Sequence, residues 1–341
     1  MHRQAAGLIE WLERGSGAFW VHGKPGSGKS TLIKFIVEHP RTFSLLRRWA
    51  GGREPMMMSH FFWLPGPTIK NSLQGLLRSL LHQTLSHHHP SSGDSRCADV
   101  VASVCARRWR SRSPAEAWSV SELWETFRGA VSGRADPICI FIDGLDEHQP
   151  DSQHAQYSQQ KELLQELLRL TSYPNVKLVL SSRPWQVFRL ALGSLPTLVM
   201  ESLNHRAIAN FVRRRLENAD SEVDWSEVCW RCINFSKNRG RVGCTNKHGE
   251  PHALIRHVVS KADGVFLWAS LVAESLCEQL SSGDSTSDLD EQVQDLPSEL
   301  EQYYHSMVDD RLNETWKTET AMALHLAMHN IQGIVPYWLL S

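Results

Sequence analysis

GKPGSGKS, Gly23 to Ser30, sets two glycines and a Lys-Ser pair at the spacing of a loop that grips phosphate. Gly26 and Gly28 let the backbone curl where a side chain would obstruct the anion. The candidate nucleotide-binding residues are therefore Gly23, Lys24, Pro25, Gly26, Ser27, Gly28, Lys29, Ser30 and Thr31. Lys29 would reach the β- and γ-phosphates, the Ser30 hydroxyl would ligate Mg²⁺, and Thr31 would border the α-phosphate. ICIFIDGLDE, Ile138 to Glu147, supplies the acids. Asp143 would hold the magnesium through water, and Asp146 or Glu147 would act as general base on an attacking water. The competing reading is that some of these carboxylates cap the segment that follows. VKLVLSSRPW, Val176 to Trp185, ends in Arg183, whose guanidinium would read the γ-phosphate or else stand as a surface cation.

Such residues work only if a scaffold brings them together. AFWVH, ICIFI and VKLVLS are nearly all apolar or β-branched, as strands buried on both sides must be. The expected strands are Ala18 to His22, Ser59 to Trp63, Ile138 to Ile142, Val176 to Ser181 and Thr197 to Glu201. Helical patterns lie between them, at Ser30 to Glu38, Ile69 to Leu85, Val120 to Val131 and Lys161 to Leu170. This alternation predicts an α/β fold of the P-loop NTPase kind, a parallel sheet covered by helices. A strand before the glycine loop and a helix after it would aim backbone N–H groups and a positive helix end at one spot. Asp143 would sit beside them at the carboxyl edge of the sheet. After Glu201 helices dominate: Arg206 to Glu217, Ala253 to Leu280, and Ser298 to Leu312 after Pro297. SSGDSTSDLD, Ser281 to Asp290, reads as a solvated connection. The expected domains are 1–202 for the NTPase core, 203–296 for an all-α region with a disordered insertion near 220–250, and 297–341 for the start of a truncated last domain.

A net charge of -1 argues against a general nucleic-acid or membrane-surface binder. Basic clusters at Arg107, Arg108, Arg110 and Arg112, and at Arg213 to Arg215, read as solvated helix faces or ends. No apolar run is long enough to cross a bilayer, and the N-terminus lacks the apolar centre of a secretory signal. Seven cysteines without a signal point to a reducing, cytoplasmic setting. Cys229, Cys232, Cys244 and His248 stand at a spacing that resembles a zinc site, but in a stretch rich in turn formers that reads first as an insertion. His87 to His89 read as a polar helix end, not a metal site.

In this order the motifs resemble a NACHT domain of the STAND class of signalling NTPases, above all the nephrocystin-3-like modules of fungal NOD-like receptors. The resemblance rests on FWVHGKPGSGKSTL (Phe19 to Leu32), HFFWLPG (His60 to Gly66), LLRSLLHQTL (Leu76 to Leu85), FIDGLDE (Phe141 to Glu147), LSSRPW (Leu180 to Trp185) and ADGVFLWASLV (Ala262 to Val272). It implies a nucleotide switch using Mg²⁺ with ATP/ADP or GTP/GDP, closed with diphosphate and opened by triphosphate into a homo-oligomer. It also implies a helical domain and then a winged-helix domain that this chain barely enters. Non-self recognition and programmed cell death are the outcomes implied for the fungal group. Neither an effector domain nor sensor repeats are visible in this sequence, and the chain is expected to stop inside a domain. Two other classes stay open: a P-loop phosphotransferase acting on a small molecule, and an interaction scaffold that no longer cycles nucleotide.

Overall fold

The computed structural model describes residues 2–64, 68–86, 118–132, 134–149, 156–220, 225 and 250–311. The histidines at 87–89, the arginines at 107–112, the Cys229, Cys232, Cys244 and His248 set, and the segment from Glu319 onward lie outside the described residues. The chain divides into two compact units. One comprises His2–His22 and Lys29–Leu198; the other comprises Gly23–Gly28 and the chain from Val199 onward.

The first unit is built on strands β1 (Gly17–His22), β2 (Met56–Phe61), β3 (Ile138–Asp143), β4 (Val176–Ser182) and β5 (Thr197–Val199). They form one sheet in the order β2-β3-β4-β1-β5, and β1–β4, β2–β3 and β3–β4 pair in parallel. Every residue of β3 and β4 is buried, which explains their unbroken apolar runs. Two strands depart from expectation. β2 starts at Met56, three residues before the predicted Ser59, because its register pairs Met56 with Ile138 and Phe61 with Asp143. Unbranched methionines give little strand signal, yet Met56 and Met58 are buried in the core. β5 ends at Val199, so Glu201 falls in the first turn of a helix and not in a strand.

One face of the sheet, including Trp20, Met58, Ile140 and Leu178, packs with α5 (Leu73–Ser86), α6 (Val120–Ser132), α7 (Gln156–Leu170) and α8 (Gln186–Leu192). The expected helix from Ile69 to Leu85 is in fact α4 (Thr68–Asn71) followed by α5. The remaining helices of this unit are α1 (His2–Arg14), α2 (Lys29–Glu38) and α3 (Pro40–Trp49). α1 and α3 are joined through an unusual core residue. Lys177, the fully buried second residue of β4, donates to the carbonyls of Trp11 at 2.7 Å and Leu12 at 3.1 Å. Its ammonium also lies 4.7 Å from the Trp11 ring centre and 4.5 Å from that of Trp49. A cation here satisfies the carbonyl end of α1. Burial pushes its pKa down to about 8, with the neighbouring Cys139 acting in the opposite sense.

His60 on β2 gives this unit an acid-sensitive point. It is buried, edge-on to Phe62 with ring centres 4.7 Å apart, and its Nε2 has no hydrogen-bond partner among the described residues. Burial lowers its pKa from 6.5 to about 4, against a weaker opposing hydrogen bond with the Lys70 backbone. The folded chain thus holds fewer protons than the unfolded one between those values, and stability falls as pH drops through that window. About 2 kcal/mol is expected to be lost by pH 5. Denaturant titrations at pH 7 and pH 5 should show a smaller difference in His60→Phe; an equal difference would remove His60 as the cause.

The second unit contains α9 (Met200–Ala219), α10 (Glu250–Ala262), α11 (Phe266–Ser282), α12 (Thr286–Asp295) and α13 (Leu300–Arg311). Ile208, Val212 and Leu216 repeat at helical spacing and pack with Leu254, Val258, Trp268, Val272 and Leu276 in one cluster. The single helix expected from Ala253 to Leu280 is broken between α10 and α11, where Asp263 and Gly264 take φ of 38° and 80°. The expected solvated connection at Ser281 to Asp290 is partly helical. Ser285 caps α12 by accepting from the Asp288 N–H, and Leu289 and Val293, four residues apart, are buried. Among the described residues no helix is long and apolar enough to cross a membrane.

Candidate functional site

Parallel pairing brings the carboxyl ends of four strands to one edge, with His22 level with Ser182 and Phe61 level with Asp143. Asp143 ends β3 at that edge and is 2% exposed. Its Oδ1 accepts a 2.6 Å hydrogen bond from the hydroxyl of Ser181 on β4. Burial raises the Asp143 pKa; hydrogen bonds from Ser181 and Ser30 and the charge of Lys29 pull it down, and Asp146 pushes it up. Lys29 and Ser30 thus act on Asp143 from the first turn of α2. Thr31 follows on the exposed side of the same turn.

After Asp143 the chain turns through Gly144, whose φ of 72° suits glycine, into a short 3₁₀ turn carrying Asp146 and Glu147. Asp146 is fully engaged by Arg183, the residue just past β4. Its Oδ1 accepts from the Arg183 backbone N–H at 2.9 Å, and its Oδ2 pairs with the Arg183 Nε at 3.0 Å. The Asp146 side chain is 5% exposed while that of Arg183 is 39% exposed, so the acid is a fixed mount for a guanidinium that reaches solvent. Glu147 accepts from the Leu64 N–H at 2.9 Å through Oε2. Burial raises its pKa, and that backbone hydrogen bond opposes the rise.

The loop itself, Gly23 to Gly28, belongs with the helical unit. Gly26 and Gly28 adopt φ of 69° and 88°, the left-handed region that the motif glycines exist to supply. The Gly26 carbonyl accepts from the Leu267 N–H at 3.0 Å, and the Ser27 carbonyl accepts from Asn204 Nδ2 at 2.7 Å. Glu201 Oε1 accepts from the Lys24 N–H, and Lys24 Nζ pairs with Asp263 at 3.1 Å. Pro25 is exposed.

Sequence reasoning missed Ser181, Glu201 and Asn204. Ser181 carried a signal, since a Ser-Ser pair ending a strand buried on both faces needs internal partners; Trp20 Nε1 donates to the second, Ser182 Oγ, at 3.0 Å. Glu201 and Asn204 lie 177 residues from their loop partners and carried none.

The donors present suit Mg²⁺. Among the described residues no group of three or more His, Cys, Asp or Glu side chains could hold a metal. A hydroxyl and one buried carboxylate, Ser30 and Asp143, are hard oxygen donors of the kind that hold Mg²⁺ when phosphate and water complete its shell. A cation would also relieve the carboxylate that burial pushes toward protonation.

Residues 4–183, just over half of the chain, match the family model described as nephrocystin 3, N-terminal. The chain belongs to this family. The glycine loop and the Asp143 strand fall inside the matched region, which ends at Arg183, within the third candidate motif. Beyond it, this family member continues into the helical unit. No curated protein matches the chain significantly. Among solved structures it is similar to the Aeropyrum pernix ORC2 protein in its ADP form, at 13% identity and a TM-score of 0.40, covering 85% of this chain and 66% of that one. The Aeropyrum pernix ORC1 protein in complex with DNA aligns at 14% identity and TM-score 0.35, over 79% of this chain and 64% of that one. A Walker-type ATPase of Pyrococcus abyssi aligns at 14% and 0.33, over 82% and 73%. The chain spans a little under two thirds of the two Aeropyrum proteins it matches. Its own topology is that of an α/β P-loop NTPase, a largely parallel five-stranded sheet with helices on both faces and a helical part after it.

Proposed function

We propose that this chain is a nucleotide-operated switch of the NACHT and STAND kind, binding ATP/ADP or GTP/GDP with Mg²⁺ and hydrolysing the triphosphate slowly. The observation that carries the reading is the Asp143 cluster: a buried carboxylate at the sheet edge, hydrogen-bonded to Ser181 and Ser30 and within the field of Lys29. Burial without a ligand is costly for a carboxylate, and a nucleotide-bound cation offsets that cost. Ser30 and Asp143 would hold the ion, which supplies neutralisation of phosphate charge when bound. Lys29 binds the terminal phosphates from the start of α2. Gly23, Lys24, Pro25, Gly26, Ser27, Gly28 and Thr31 line the polyphosphate.

Arg183 is the residue that distinguishes triphosphate from diphosphate, and Asp146 orients it. A switch needs differential affinity, because a ligand bound equally by both states shifts nothing. With both Asp146 oxygens committed to Arg183, the proton acceptor for an attacking water is Glu147. Its raised pKa suits that role, since a base works best when its pKa approaches the working pH. In the cell we assign the protein to the cytoplasm, with oligomerisation following triphosphate binding and a signalling outcome in non-self recognition or cell death.

Single-turnover hydrolysis with a γ-labelled triphosphate tests the catalytic half. Slow Mg²⁺-dependent phosphate release is expected, and Glu147→Gln should slow it by roughly a hundredfold with triphosphate affinity nearly unchanged. No release from a wild-type chain saturated with triphosphate would leave a binding scaffold and no enzyme.

A further inference from the structure

The helical unit contains side chains whose hydrogen-bonding groups are spent on the phosphate loop. Asn204, in the second turn of α9, is buried, and its amide nitrogen donates twice, to the Ser27 carbonyl at 2.7 Å and to the Gly264 carbonyl at 2.8 Å. One turn earlier, Glu201 accepts from the Lys24 N–H. Its other oxygen, Oε2, is buried without a hydrogen-bond partner among the described residues. The Leu267 N–H, at the start of α11, holds the Gly26 carbonyl. Lys24 reaches over to Asp263 at 3.1 Å. Burial lowers the Lys24 pKa, but Asp263, Glu299 and Glu201 outweigh it and leave the ammonium pKa raised.

The backbone of the α10–α11 corner is shaped for these contacts. Asp263 holds φ of 38°, a region a residue with a Cβ enters at a cost. Gly264, at φ of 80°, passes so close to Glu201 that an added Cβ would lie within 3.0 Å of its Cα and carbonyl oxygen. Only glycine allows the corner to sit against Glu201 and offer its carbonyl to Asn204. A half-satisfied buried carboxylate and a strained aspartate are poor choices for stability alone.

Their consequence for the loop follows from peptide geometry. In a planar trans peptide the C=O and the next N–H point to opposite sides. Holding the Ser27 carbonyl on the Asn204 side therefore aims the Gly28 N–H to the other side. Resting on the nucleotide-binding reading above, we infer that Asn204 and Glu201 are positioning residues for the phosphate loop, with Asp263 and Gly264 completing the mount. They preset the loop N–H groups for a nucleoside diphosphate, so the loop binds it without first being ordered. The same mount makes phosphate binding and the conformation of the α10–α11 corner two ends of one linkage. Glu201, Asn204, Asp263 and Gly264 all lie beyond the region matched by the family model.

The test is the affinity of the full chain for fluorescent MgADP, measured beside its nucleotide-free melting temperature. Glu201→Ala and Asn204→Ala should each weaken binding tenfold or more in protein that is fully folded at the assay temperature. Glu201→Gln keeps an oxygen to accept from the Lys24 N–H and should stay within about threefold of wild type. Lys24→Ala, at a half-exposed side chain, should raise the dissociation rate several-fold without lowering the melting temperature. If Asn204→Ala does not fold, the Glu201 pair decides the matter, because Lys24 itself lines the polyphosphate. Wild-type affinity in Glu201→Ala, even with a lowered melting temperature, overturns the inference and leaves the nucleotide site standing. A folded wild-type chain that does not bind MgADP overturns the nucleotide reading itself, and the inference with it.

Discussion

Replacing Lys29 by alanine is expected to weaken triphosphate binding roughly a hundredfold, or about 2.7 kcal/mol, while the chain stays folded. The size follows from what is lost, a charge-assisted contact to the terminal phosphates at a helix start where no other ammonium comes from the same turn. Fold should survive because Lys29 opens α2 and contributes nothing to either hydrophobic cluster. A second effect follows from the electrostatics. Lys29 helps hold the Asp143 pKa down, so its removal should leave that buried carboxylate closer to protonation. Calorimetric titration with MgATP and MgGTP, read beside far-ultraviolet circular dichroism, separates binding from folding. Unchanged affinity would withdraw the phosphate-loop assignment.

Asp143→Asn should divide function from stability. Asparagine keeps an oxygen to accept the Ser181 hydroxyl but carries no charge, so the buried hydrogen bond survives. Because burial raises the Asp143 pKa, the ionised form penalises the nucleotide-free fold, and its removal should leave the melting temperature equal or higher. Mg²⁺-dependent hydrolysis should fall by about a hundredfold or more, as when a preorganised electrostatic group is removed from other active sites. Asp143→Ala is the contrasting case. It strands the Ser181 hydroxyl in a dry interior and should cost about 1–3 kcal/mol in addition. Retained hydrolysis in Asp143→Asn would place the metal-binding acid elsewhere.

The candidate site was legible where it is local in sequence. The glycine loop, the Lys-Ser pair and the acid ending an apolar strand each announce themselves within ten residues, and β3 and β4 read as strands because both their faces are covered. What escaped was long-range. Nothing near Asp146 says that both its oxygens are held by Arg183, 37 residues on, which moves the proposed base to Glu147. The same holds for Glu201, whose apolar neighbours Leu198 and Val199 make it look like the end of a strand until α9 absorbs it. Helix ends misled for a different reason. Apolar residues recur at helical spacing from Ala253 to Leu280 on both sides of the left-handed Asp263–Gly264 pair, so periodicity alone does not show the break there. Lys177 shows the converse, a charge inside a core strand that sequence pattern alone would place at a surface.

The most direct test of the nucleotide switch is a thermal-melting titration of the wild-type chain with ADP, ATP, GDP and GTP plus Mg²⁺, with Lys29→Ala as the control. A ligand that binds only the folded state stabilises it by about 2.7 kcal/mol at a hundredfold excess over Kd. The account predicts stabilisation by the di- and triphosphate of one base, unequal between the two and absent in Lys29→Ala. A folded chain whose melting temperature moves with none of the four, or moves equally in Lys29→Ala, would contradict it.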